Sequence, residues 1–85
     1  MGASGGLDEW STTPLYRQLA DLLRAAVQDG THPAGSKLPS EATLQQEHGL
    51  ARDTVRAAIG ILRDEGLVVT LPGRGTFIRP QVQSG

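Results

Sequence analysis

From Leu15 to Val27 the apolar residues recur at helical spacing. Leu15, Leu19, Leu22, Leu23, Ala26 and Val27 share one face, with Arg17, Gln18, Asp21, Arg24 and Gln28 largely opposite. The pattern predicts a first helix over about 14–29, with Thr13 as its cap, Pro14 at the first helical position and Gly30 as its stop. A loop follows over 31–39, carrying His32, Pro33, Gly35, Lys37 and Pro39; Lys37-Leu38-Pro39 is too short to be more than a bridge. Ser40 then stands where a cap belongs, and Glu41 places negative charge in the first turn of a second helix over 41–48. Ala42 and Leu44 are its apolar positions, and Gly49 suits the tight turn that ends it.

A third helix is expected from Arg52 to about Glu65, closed by Gly66. Val55, Ala58, Ile59 and Leu62 form its buried stripe, and Arg52, Arg56 and Arg63 project from other faces. Its interior Gly60 costs about 1 kcal/mol relative to alanine, and close packing against a neighbour would account for it. The period then changes. Leu67 to Thr70 and Thr76 to Arg79 read as short strands around the turn Leu71-Pro72-Gly73-Arg74-Gly75. The order of elements predicts a mainly α fold with a small β-hairpin, a winged helix-turn-helix domain over 13–80. The helix-turn-helix spans about 41–60 and the wing about 67–79; residues 1–12 read as a flexible leader and 81–85 as a tail.

That order carries chemistry. In a helix-turn-helix the second helix enters the major groove and its N-terminal residues meet base edges. Here that end carries Arg52, Asp53, Thr54 and Arg56. Arg52 and Arg56, four residues apart, share a face, while Val55, Ala58 and Ile59 turn to the core. An arginine fork matches O6 and N7 of guanine, which is worth about 1–3 kcal/mol of base discrimination. The free amides of the first turn suit a phosphate. On the hairpin, Arg74 lies between Gly73 and Gly75, and an arginine so placed suits a narrow, electronegative minor groove. Double-stranded DNA is the expected partner.

Net charge adds nothing to this, being −1 over 85 residues. Its distribution adds a little. Residues 1–49 hold Arg17, Arg24 and Lys37 against Asp8, Glu9, Asp21, Asp29, Glu41 and Glu47. Residues 50–85 hold Arg52, Arg56, Arg63, Arg74 and Arg79 against Asp53, Asp64 and Glu65. Scattered arginines more often mean a solvated surface, and that remains the reading for Arg63 and Arg79. The length allows one domain and no second ligand-binding lobe, so no small-molecule site is expected within the chain. The absence of cysteine excludes disulfides and thiolate metal sites and fits a cytoplasmic setting. No apolar run approaches the roughly 20 residues of a membrane span, and Met1 to Gly6 has no signal-peptide pattern.

Several stretches resemble the N-terminal domain of the GntR family of bacterial regulators. They are Pro14-Leu15-Tyr16-Arg17-Gln18-Leu19, Gly35-Ser36-Lys37-Leu38-Pro39-Ser40-Glu41 and Gly49-Leu50-Ala51-Arg52-Asp53-Thr54-Val55-Arg56, then Glu65-Gly66-Leu67-Val68 and Gly73-Arg74-Gly75-Thr76-Phe77. The resemblance covers about residues 14–79. It implies repressors that bind palindromic operators as dimers and let go when a C-terminal domain binds a metabolite. It also implies that Arg52 and Arg56 contact DNA, that Thr54 holds a phosphate, and that Gly73 and Gly75 approach the minor groove, with Ser40 and Glu41 beside the DNA backbone. The sequence departs from the family pattern at Ala42, where many relatives carry a DNA-touching arginine, and at Ala51, where the usual cap is serine or threonine. Loss of such a cap costs about 1 kcal/mol, which Asp53 in the first turn offsets in part. No effector domain follows residue 80 in this sequence.

Other readings fare worse. His32 and His48 lie on different elements without clustered acids, so no metal or other cofactor is expected. Gly73-Arg74-Gly75 lacks the lysine and the following helix of a phosphate loop. No nucleophile–base pair is visible, so the chain does not read as an enzyme. Trp10 is either a docking residue of the N-terminal arm or simply exposed. The main alternative is a winged-helix module for protein–protein contact, which the acidic N-terminal half would suit.

Overall fold

The computed structural model describes residues 7–80; the first six residues of the expected leader and the expected tail at 81–85 lie outside them. Three helices, α1 (Leu15–Gln28), α2 (Glu41–His48) and α3 (Arg52–Asp64), precede the strands β1 (Val68–Leu71) and β2 (Gly75–Ile78). The core is the apolar stripe of each helix turned inward. Leu19, Ala20, Leu23 and Val27 from α1 join Leu44 from α2 and Val55, Ala58, Ile59 and Leu62 from α3. Leu38, Leu67, Val68 and Ile78 close it from the loop and wing, and among the described residues no polar or charged side chain is buried.

Helix α1 starts one residue later than its sequence suggests, and Thr13 does not cap it. Pro14 takes the cap position without any side-chain bond. Gln18 holds the preceding segment instead: its Nε2 donates to the carbonyls of Thr13 and Asp8, each at 2.7 Å, and its Oε1 accepts from the Asp8 N–H at 2.8 Å. The amide of a first-turn side chain thus ties the arriving chain to the helix. Trp10 rides on this segment in solvent, 92% exposed.

The start of α2 follows the sequence. The Ser40 hydroxyl accepts from the Thr43 N–H at 3.1 Å. Gly49 adopts φ +64°, the left-handed conformation that lets the chain turn sharply into α3. Ala51 begins α3 with extended backbone and no side-chain cap. At the far end, Arg24 of α1 clasps Glu65 with two hydrogen bonds of 2.8 and 2.7 Å and Asp21 with a third of 2.6 Å. The charge-assisted bonds hold the guanidinium above its ordinary pKa and the Glu65 carboxyl below the usual carboxylate range.

The hairpin pairs Val68 with Ile78 through Leu71 with Gly75, antiparallel, and shifts the second strand one residue earlier than expected. The loop segment at Lys37, too short for a strand, makes an isolated bridge to the wing. Lys37 pairs with Phe77, the Leu38 N–H donates to the Thr76 carbonyl and the Ile78 N–H to the Ser36 carbonyl, both at 2.8 Å. β2 is therefore held on both edges, by β1 and by residues 35–38, which ties the wing to the chain entering α2.

Gly60 is not explained by close packing. A Cβ there would meet nothing nearer than the Arg63 guanidinium at 3.9 Å. Gly60→Ala is accordingly expected to stabilise the domain by about 0.5–1 kcal/mol, read as a higher midpoint in thermal or urea unfolding. A lower midpoint would show that the helix needs glycine for its own geometry.

Candidate nucleic-acid interface

The capped start of α2 and the uncapped start of α3 converge on one carboxylate. Glu41 stands with one oxygen 3.7 Å from Arg52 Nε and the other 3.9 Å from Arg56 Nε. These are ion pairs without close hydrogen bonds. The arginine side chains remain largely exposed, at 68% and 58%. Glu41 thus holds two like charges side by side on the flank of α3 and leaves their forks available. Thr54 is half-buried. Ser40 spends its hydroxyl on the α2 cap and on Thr43 Oγ1 at 3.0 Å.

The remaining expected site residues form a second group. Gly73 and Arg74 are exposed at the wing tip and Gly75 is half-buried behind them. A cleft separates the groups, with Ser40, Glu41 and Ala42 on one wall and Gly73, Arg74 and Gly75 on the other. A second cleft runs between α3 and the hairpin, lined by Glu41, Asp53, Arg56, Gly60, Arg63, Thr70 and Thr76. Glu41 lines both. Ala42 lines the first cleft with a short side chain.

Lys37 is the residue that sequence reasoning missed. It lines the first cleft and lays its aliphatic stem over Gly75. A Cβ on Gly75 would sit 2.6 Å from Lys37 Cε, and the glycine has φ +120°, a conformation that side chains rarely adopt. The signal was its position: a cation in a segment short enough only to bridge must lie beside the strand it bridges. Gly75→Val is expected to cost about 1–3 kcal/mol of stability through backbone strain and to displace Lys37. An unchanged unfolding midpoint would show that the wing relaxes without cost. Among the described residues no group of histidines and acids could hold a metal ion.

Three helices, a glycine turn between the second and third, and a hairpin braced from a third edge define a winged helix-turn-helix. The family model for bacterial regulatory proteins of the gntR family matches residues 15–78. The chain belongs to the GntR family. Among its relatives, the HTH-type transcriptional regulator Rv0792c of Mycobacterium tuberculosis is 42% identical over 85% of this chain and 27% of its own length. The HTH-type transcriptional repressor NagR of Bacillus subtilis is 35% identical over 91% of the chain and 32% of its own. The chain thus spans between a quarter and a third of the length of these GntR relatives. Among solved structures, YtrA from Sulfolobus acidocaldarius, a GntR-family transcription factor, superposes with a TM-score of 0.84 at 32% identity, covering 94% of this chain and 84% of YtrA. The DNA-binding domain of AraR in complex with operator ORE1 superposes with a TM-score of 0.77 at 33% identity, covering 89% and 93%. The GntR fold of these neighbours is the winged helix expected from the order of elements.

Proposed function

We propose that this chain is a DNA-reading head of a bacterial transcription regulator, of the repressor kind, that binds a palindromic operator in pairs. The observation that carries it is the pair Arg52 and Arg56, held side by side by Glu41 at the exposed front of α3, with Glu41 in turn lining the same cleft as Arg74 of the wing. α3 lies in the major groove with its first two turns at the base edges. The wing enters the adjacent minor groove through Arg74, flanked by Gly73 and Gly75. The first-turn amides of α3, which Ala51 leaves without a side-chain cap, and the half-buried Thr54 serve a phosphate. The likeness to an operator-bound domain supports the docking, and the names of relatives that are repressors support the role. Function inside the cytoplasm follows from the same reading.

The test is salt. Binding to mixed-sequence DNA falls steeply as salt rises, because each neutralised phosphate releases condensed counterions. A folded sample that ignores DNA at low salt would overturn the reading in favour of a protein-contact module. Cross-linking on a palindromic duplex, compared with a half-site, tests the pairing of heads.

A further inference from the structure

Asp53 leads the outermost line of α3. Ala57, Gly60 and Asp64 follow it at four, seven and eleven residues, opposite the buried line of Val55, Ala58, Ile59 and Leu62. Two of those followers are small, so the middle of the helix has a low profile and an acid stands at its front. Asp53 is exposed and lines the cleft that Arg56 and Glu41 also line. Unlike Glu41, it has no arginine within ion-pair distance among the described residues, and its carboxylate accepts no hydrogen bond from their side chains.

A carboxylate facing a polyanion is repelled unless it meets a hydrogen-bond donor. The donors in the major groove are the exocyclic amines of cytosine and adenine. On adenine the N7 lone pair lies beside the amine and repels the second carboxylate oxygen; cytosine offers its N4 amine without that neighbour. We infer that Asp53 is a specificity-determining residue that accepts a hydrogen bond from cytosine N4 at one position of each half-site. The inference rests on the DNA-binding reading above. It accounts for an acid at the front of the reading helix, and the low profile at Ala57 and Gly60 lets that front come close to the bases.

The experiment is selection from randomised duplexes at fixed salt with the 85-residue chain and two variants. The unaltered protein is expected to enrich cytosine about tenfold at one position per half-site. Asp53→Ala should lose preference there alone and bind mixed-sequence DNA more tightly. Asp53→Asn should turn the same position toward adenine, whose N6 and N7 an amide meets with two bonds. Unchanged base preferences in both variants would overturn the inference, even if Asp53→Ala lowers the melting temperature through the helix dipole. If the unaltered protein selects no sequence and binds no DNA, the DNA-binding reading fails and this inference with it.

Discussion

Leu62→Ala is expected to lower stability by about 2–5 kcal/mol, the largest effect of any single truncation on the reading helix. Leu62 is fully buried in α3, in the cluster shared with α1, β1 and β2, and its carbonyl accepts the Leu67 N–H at 3.0 Å where the wing begins. A domain of this size has only about 4–13 kcal/mol in total. The loss would lower the melting temperature by about 10–30 °C and leave some samples unfolded at ambient temperature. Leu71→Ala is the control. Leu71 is 37% exposed at the end of β1, so its truncation should stay within about 0.5 kcal/mol. Circular dichroism melts of the two variants check the contrast; equal midpoints would mean that the core does not close around Leu62.

Arg56→Ala is expected to act on binding and leave the fold intact. Its side chain is 58% exposed and its ion pair with Glu41 is long, so unfolding should move by no more than about 0.5 kcal/mol. On DNA the loss of one bidentate contact is worth about 1–3 kcal/mol, a five- to 150-fold weaker grip on the preferred operator. Mixed-sequence DNA should lose much less, so the ratio between the two collapses. Arg56→Lys should rescue the mixed-sequence binding and not the ratio, because lysine keeps the charge without the fork. A ratio that survives Arg56→Ala would place the reading elsewhere on α3.

Much of this was legible in one dimension. The stripes of α1 and α3, the Ser40 cap and the Gly49 turn follow from local periodicity and turn chemistry, which act over a few residues. Arg52 and Arg56 were legible as neighbours because helical spacing makes them so. What local rules could not supply were the contacts between distant residues. Glu41 reaches the arginines across the turn, Lys37 lies over a glycine 38 positions further on, and Arg24 clasps Glu65 across 41. Thr13 is not the cap because the helix begins one residue later, with Pro14 at the cap position, and the Gln18 amide that binds the Thr13 carbonyl from five residues on leaves no periodic trace. Gly60 looked like a packing residue because interior glycines usually are, and only the open space around it argues otherwise.

The way Glu41 sits between two arginines has a kinetic consequence. With Asp53 beside them, the start of α3 and the adjoining Glu41 of α2 bring together two positive and two negative side chains, and their long-range field nearly cancels. On the proposed DNA-binding reading, long-range attraction to a duplex would then fall to cations away from that front, Lys37 and Arg74 of the wing cleft among them. A reading surface without net pull does not cling to the wrong sequence. On the same reading, the head would dwell only where the bases themselves supply hydrogen bonds to Arg52, Arg56 and Asp53.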